Sequence, residues 1–556
     1  MDSLSFQRTL VTYGVLIPVV LLLGYFIGAP SGARSYMLIA LFFCILMLPL
    51  MMNYHHIALV ATWNAAFTLG FLPGLPKVWY VVALFSIMLT IMARIVHRKP
   101  LISYKPLSLS MVFFAFTAIM TGMLRGGIGM KALGSQNYGG KAFVYILIAV
   151  IGYFALSSVR IPKRRVGVCV LLFFITTLTL IFSNVVYMMG PNFWFLYLFV
   201  PADYAVGQAQ ADYLYAEVTR LGGVGFALMG VYFYMMVRYG IRGIFDLQHP
   251  LRLLTLSLVV VGSMTGGFRS TIILYILIFA FQFFLEKLYK TKFLWIIIAS
   301  SIIGLALLYP FVQKLPTSFQ RCVSFLPGLK IDLAARADAD ASIEWRLKIW
   351  SVLWPQVGNY LLLGKGFVYD ASDVHLADES VRRGFLQSED FAVITGDYHS
   401  GPLSVVIPLG IWGVIGFVLI NVFGIRMLYL QCKYGDPDFL TINNGLLALF
   451  TVRVVYFWVF FGAVASDMAT FAGILGLSLA INGAPRKRPW VSEEEEEQQD
   501  YLELEAEGVT PEPVFKPSAF ALHRFPSSRD ISALPSAPAE VPTDTHGETG
   551  ADPSKK

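Results

Sequence analysis

Uninterrupted apolar blocks constrain this chain more than any other feature, among them residues 11–27, 168–183, 293–309 and 405–423. A helix rises about 1.5 Å per residue, so roughly 20 such residues cross the ~30 Å hydrocarbon core of a bilayer. Only 14% of the residues are charged, against about 25% in an ordinary globular protein. That leaves too few charges to coat a water-soluble domain of 556 residues. The outward-apolar alternation over about ten residues that marks a membrane β-barrel is absent. The expected fold is all-α: a polytopic membrane protein of about 12–14 transmembrane helices, with the lipid bilayer as its first partner.

Fourteen segments qualify as spans: 11–28, 36–52, 56–72, 78–93, 106–123, 142–157, 166–188, 222–238, 253–265, 270–285, 293–310, 401–423, 444–462 and 467–482. The first follows a single basic residue, Arg8, and has no small-x-small cleavage site, so no cleaved signal peptide is expected. With the N-terminus inside, alternate connections collect the basic residues: Arg94, Arg98, Lys99 and Lys105, then Arg160, Lys163, Arg164 and Arg165. Arg238, Arg242 and Arg252, then Lys287, Lys290 and Lys292, continue the series. This positive-inside pattern places both termini in the cytoplasm. The formal charge of +7 reflects that anchoring and points to no nucleic-acid partner.

The chain divides into a membrane domain, 1–483, and a tail, 484–556, that opens on basic residues, passes through five glutamates and ends rich in Pro, Ala, Ser and Thr. Such composition buries too little apolar surface to offset the entropy of ordering, so the tail is expected to be disordered. One large polar loop, about 311–400, is expected on the extracytoplasmic side. The four cysteines, Cys44, Cys169, Cys322 and Cys432, lie too far apart in the expected topology to pair. No Cys/His cluster suggests a metal, and no cofactor is expected. His55 and His56 are read as an interfacial turn between two spans.

Four ionisable residues fall near the extracytoplasmic membrane surface. Arg220 precedes a glycine-rich span, Arg269 sits in the tight hairpin GGFRST, and His399 closes the large loop. Arg346 belongs to SIEWRLKIWSVLW, where Ile343, Leu347, Trp350 and Trp354 recur at helical spacing, as in a helix lying on the membrane. Arginine grips phosphate through a planar fork, and histidine accepts a proton from a hydroxyl near neutral pH. Arginines can also snorkel to headgroups and an interfacial histidine can be structural, so neither residue type is diagnostic alone.

Order and spacing narrow the choice. From His399 and Ser400, nine residues lead to Gly410, and Gly413 follows as the second member of a Gly-x-x-Gly. With Arg220, Arg269 followed by Ser270, the Arg346 and Trp350 pair, and GKG at 364–366, this region, about 220–421, resembles the O-antigen ligase and polymerase superfamily of the bacterial cell envelope. The resemblance implies a metal-independent glycosyltransferase of polysaccharide biosynthesis, with lipopolysaccharide assembly as its commonest setting. It would move a glycan from a polyprenyl-diphosphate donor to a glycolipid or glycan acceptor, at an extracytoplasmic active site. Arg220, Arg269 and Arg346 would bind the donor diphosphate, His399 would be catalytic, and Gly410 and Gly413 would let their helix pack closely. A polymerase of the same superfamily, a secondary transporter or lipid flippase, and a scaffold are the other readings. A transporter would show inverted repeats and charges near the bilayer midplane.

Overall fold

The computed structural model describes scattered positions between 13 and 28, and residues 33–486 apart from 71, 73, 98–103, 127–138, 215–219, 370, 371, 373, 374, 377, 378, 381–392, 395 and 397. The described chain is all-α, a polytopic membrane protein: among the described residues the only strand-like pairing is one isolated bridge, Thr68 to Lys77. Residues 487–556, most of the tail expected to be disordered, lie outside the described residues. The described positions of the first span, 13–28, are helical.

The helices in chain order are α1 Ala33–Thr62, α2 Val78–His97, α3 Lys105–Arg125, α4 Gly140–Ser157 and α5 Lys163–Met189. Next come α6 Asp203–Leu214, α7 Gly222–Ile244, α8 Pro250–Ser263, α9 Arg269–Leu285 and α10 Phe293–Phe311. The polar segment contributes α11 Thr317–Val323 and α12 Leu333–Leu353, and α13 Gly401–Tyr434, α14 Leu440–Val459 and α15 Val464–Asn482 complete the bundle. Nine helices among the described residues are long and apolar enough to cross a membrane, and Pro250–Gly266 and Arg269–Leu285 are shorter apolar helices. Prolines stand in the first turns of α3, α8 and α13, where no helical N–H is lost. Gly126 (φ 85°) and Gly190 (φ 89°) end α3 and α5 in a backbone region open to glycine.

The pair of spans expected at 36–52 and 56–72 is corrected. The chain does not turn at His55 and His56; both lie inside the single helix α1. Partners explain why no turn is needed: His55 Nδ1 lies 2.8 Å from Ser86 Oγ, and His56 Nε2 lies 2.9 Å from the Leu156 carbonyl. Helix α1 stops at Thr62, and the non-helical backbone beyond it finds other acceptors and donors. Thr179 Oγ1 accepts from Ala66 N–H, and the Phe199 carbonyl accepts from Thr68 N–H. Irregular backbone in an apolar bundle persists only where it is satisfied in this way.

Small residues let the helices meet. Helix α15 packs on α4 and on Trp63 through Gly473 and Gly476, where an added Cβ would lie 2.2 Å from Trp63 Nε1 and 2.8 Å from Leu156 Cβ. Phe417 of α13 is fully buried among Phe114, Phe457 and Phe471, with ring centroids 4.7–5.8 Å apart. Between helices in lipid, such close packing replaces the hydrophobic effect as the source of cohesion. Helix α10 is the exception: the apolar span Phe293–Lys314 has 6% of its residues buried by the rest of the protein.

Several connections meet at one end: the Gly240 break lies against Glu286 and Thr441, and Asn443 donates to Asn482. That end carries Arg94, Lys163, Arg242 and Arg252 near Glu286, Asp436 and Asn482. Lys163 Nζ lies 2.5 Å from Asp436 there, and Arg252 donates to the Gly243 carbonyl. The other end carries α11, α12 and the four residues singled out in the sequence.

Candidate functional site

At that second end three elements bring arginines together. Leu221 N–H donates to the Thr265 carbonyl (3.0 Å), tying the start of α7 to the hairpin before α9. Gly225 lets the two approach: a Cβ there would meet the Ser263 carbonyl at 3.1 Å and Gly266 Cα at 3.2 Å. Arg220 and Arg269 are thereby placed on adjacent elements. Helix α12 crosses both. Its inward stripe includes Ala335, Asp338, Ala339 and Ile349, at the three- and four-residue steps of one helix face. Asp338 pairs with Arg220, and its Oδ2 lies 2.5 Å from Arg321 Nε. Arg269 donates to the Ala339 carbonyl at 2.7 Å.

Arg321, on α11, was not singled out in the sequence. It is 5% exposed and also donates to the Gly267 carbonyl. Burial first, then the charge of Arg220, pulls its guanidinium down to about 10, against the opposing pull of Asp338. An anion arriving among these groups would relieve that cost. Burial likewise lowers Arg346, whose Nε is buried with no hydrogen-bond partner among the described residues. Its guanidinium stands 5.9 Å from the Phe461 ring.

On α12, Ile343, Leu347 and Trp354 are 44%, 55% and 69% exposed. Trp350 has a different task. Its indole N–H donates to the Tyr398 carbonyl at 3.2 Å, fixing the residue before His399. Trp345 presents an edge to the His399 ring at 4.8 Å, and Phe461 stands 5.3 Å away on another side. His399 itself adopts φ 50°, a left-handed conformation rare outside glycine. Backbone strain of this kind costs on the order of 1–3 kcal/mol and collects at functional sites.

The glycines after His399 act differently from the close helix packing expected of them. Helix α13 is broken at Gly410 (φ 65°, ψ −163°). Residues 361–366 thread against the break: Lys365 N–H donates to the Ile407 carbonyl (2.7 Å), Gly366 N–H to Pro408 (2.9 Å), and Ile411 N–H to Leu361 (2.6 Å). The two backbones nearly touch. A Cβ on Gly364 would lie 2.3 Å from the Pro408 carbonyl oxygen, and one on Gly410 would lie 2.8 Å from the Gly364 amide. Gly413 makes room for Leu409 of its own helix, 2.3 Å from a virtual Cβ. Helix packing falls to Gly416, against Phe113 and Phe114, and to Gly424, against Phe450 and Leu475. Arg125 closes the arrangement by donating to the Gly364 carbonyl at 3.0 Å.

All four sequence-predicted residues, Arg220, Arg269, Arg346 and His399, line one cavity of about 420 Å³ together with Arg321. Among the described residues that line it there is no carboxylate. A second cavity of about 750 Å³ adjoins it and shares Phe268, Ser270, Arg346, His399, Tyr456 and Phe461 as a wall. Arg453 and Asp467, paired at 2.8 Å, line this second cavity and were missed in the sequence. Their signal was available: an ionisable residue inside an apolar span is costly and by default functional. No group of three His, Cys, Asp or Glu side chains suited to a metal occurs among the described residues. Neither a family model nor a curated protein matches this chain.

Proposed function

We propose that this protein is an O-antigen ligase-like membrane glycosyltransferase, acting on the extracytoplasmic side of the bacterial cytoplasmic membrane. One observation carries the reading: a cavity lined by four arginines and one histidine, with no carboxylate in its described wall, at the loop-bearing end of an apolar bundle. Such a cavity suits a ligand with two or more negative charges held at a membrane surface. A polyprenyl diphosphate has that form, since its lipid stays in the bilayer while its charged head stands at the interface.

In this reading Arg220, Arg269, Arg321 and Arg346 bind the donor diphosphate, and their fixed charges oppose the negative charge that grows on it as the glycosidic bond breaks. Arg346 is best placed for the change, because among the described residues its Nε has no hydrogen-bond partner to give up. Arg220 and Arg321 must exchange the Asp338 carboxylate for phosphate oxygens, so Asp338 holds the pair together while the site is empty. His399 takes the proton of the acceptor hydroxyl as its oxygen attacks the anomeric carbon of the donor. The carbon–oxygen bond to the diphosphate breaks with its electron pair leaving on the polyprenyl diphosphate, and the histidine proton passes to solvent or to that product.

Transport is the less economical reading. The arginines gather at one end of the bundle, whereas carriage across a membrane calls for a site reachable from both. The test is direct: purified protein incubated with a polyprenyl-diphosphate glycan and candidate acceptors releases polyprenyl diphosphate in step with new glycosidic linkages. Translocation of the intact donor without bond breakage would establish the transporter instead.

A further inference from the structure

We infer that Phe461 is a positioning residue for glycosyl transfer: a single aromatic ring that seats both the Arg346 guanidinium and the His399 imidazole. The assignment rests on the glycosyl-transfer reading and adds to it a residue that acts through two others. Contact is the first argument. The guanidinium carbon of Arg346 lies 5.9 Å from the centre of the Phe461 ring, inside the ~6 Å over which an aromatic face attracts a cation. The His399 and Phe461 ring centres are 5.3 Å apart at an interplanar angle of 70°, an edge-to-face arrangement of the kind aromatic pairs favour. Trp345 meets the imidazole from another side. Phe461 also stands in the wall that the two cavities share.

Rigidity is the second argument, because a ring positions its neighbours only when its own backbone is fixed. Phe461 belongs to the short connection between α14 and α15, and that connection is tied at both ends. Phe460 and Phe461 N–H groups both donate to the Tyr456 carbonyl, at 2.9 and 3.0 Å, where α14 ends. Ala463 N–H donates to Asp467 Oδ2 at 2.9 Å, and Val464 N–H donates to Ser404 Oγ at 3.1 Å. Ser404 stands in the first turn of α13, just after His399, so the connection is bonded to the helix that the histidine precedes. Gly401 permits the approach: an added Cβ there would overlap the Phe457 carbonyl.

The chemistry of the step is the third. Arg346 Nε has no hydrogen-bond partner among the described residues, so the ring contact helps to hold this guanidinium in place. When His399 takes the acceptor proton, an imidazolium and a guanidinium share one site, and closer approach of the two cations would disfavour the protonated ring. An aromatic ring attracts a cation without carrying a charge of its own. A carboxylate at 461 would also hold Arg346, but it would compete with the diphosphate. A leucine would fill space and offer no such attraction.

The experiment uses purified full-length protein in lipid nanodiscs and takes two readouts. One is equilibrium binding of polyprenyl diphosphate; the other is its release from a saturating polyprenyl-diphosphate glycan with the candidate acceptors present. Phe461→Leu should weaken binding about fivefold and slow release about tenfold, from the lost cation contact and the loosened imidazole. Phe461→Tyr keeps the ring and should leave both near the parent values. In an Arg346→Ala background Phe461→Leu should cost no further binding, and in a His399→Ala background no further rate, because residues that act through one another are not additive. Parent-like behaviour of Phe461→Leu, failure of tyrosine to restore a folded protein, or losses that add in full in either background overturns the inference and leaves the reading of function standing. A parent protein that neither binds polyprenyl diphosphate nor releases it from the glycan defeats that reading, and this inference with it.

Discussion

Two helices in this bundle are broken in almost the same way, and the difference lies in what repairs them. Gly240 of α7 (φ 64°, ψ 178°) and Gly410 of α13 (φ 65°, ψ −163°) each open a turn and free backbone N–H groups. At Gly240, on the basic end, a side chain does the repair: Glu286 accepts from Ile241 N–H at 2.9 Å and from Arg242 N–H at 3.1 Å. At Gly410, on the site end, the backbone of residues 361–366 does it. A carboxylate such as Glu286 is a convenient cap, but it carries a charge. Repair by neutral carbonyls and amides closes the break without adding a charge.

The arginines of the two ends differ in the same sense. At the basic end Arg242 donates to the Glu286 carbonyl, and Arg252 donates to Gly243 while lying 4.4 Å over the Tyr239 ring. Both donate to backbone carbonyls. At the site end Arg346 keeps a buried Nε with no hydrogen-bond partner among the described residues, and Arg220 shares a carboxylate with Arg321. One set anchors the protein; the other is held ready for an exchangeable anion.

The comparison can be broken most severely at His399. The His399→Ala variant should lose about 10²–10⁴-fold in transfer rate, the usual scale of acid–base assistance, while its affinity for polyprenyl diphosphate stays near that of the parent. Turnover near the parent level in the folded variant would make the ring structural.

Next come the arginines. Arg269→Ala and Arg346→Ala should each cost on the order of 10²-fold in turnover, and lysine should restore little because a point charge does not reproduce the fork. Arg242→Ala and Arg252→Ala, at the opposite end, should leave turnover near the parent value. Equal losses at both ends, measured with one donor preparation, would erase the distinction between anchoring and exchangeable arginines.

Asp338→Asn gives a smaller effect of opposite sign. With the competing carboxylate gone, polyprenyl diphosphate should bind about tenfold more tightly, close to the 1.5 kcal/mol or so of one hydrogen bond to a charged group. The unliganded protein should melt earlier, because Arg220 and Arg321 then face each other without neutralisation. Weaker binding would mean that Asp338 positions the arginines in the occupied site as well.

The smallest effect compares the two breaks. Alanine at either glycine carries on the order of 1–3 kcal/mol, because positive φ with ψ near 180° is essentially a glycine-only conformation. The Gly240→Ala methyl meets the movable Glu286 carboxylate at 2.7 Å. The Gly410→Ala methyl meets fixed backbone atoms of Gly364, Leu361 and Leu362 at 2.8–3.0 Å. Gly410→Ala should therefore lower the melting temperature further, and the reverse order would show that residues 361–366 yield easily.

Much of this was legible in the chain. Apolar blocks located most of the helices. Arg220, Arg269, Arg346 and His399 were found because charge is expensive near a membrane. Other features needed three dimensions. His55 and His56 read as a turn because their partners, Ser86 and Leu156, lie 31 and 100 residues away. Gly410 and Gly413 read as a packing face because a glycine signal reports close approach without saying whether a helix or a loop approaches. Arg321 escaped notice in a polar segment where arginines are ordinary; only burial beneath α12 distinguishes it.

The central claim is that the arginine cavity is an anion seat and the basic end is not. Equilibrium binding of polyprenyl diphosphate to the full-length protein in nanodiscs, repeated for Arg321→Ala, Arg346→Ala, Arg242→Ala and Arg252→Ala, tests it directly. The account predicts a saturable site whose affinity falls at least tenfold in the first two variants and is unchanged in the last two. Absence of saturable binding, or equal losses in all four, would contradict it.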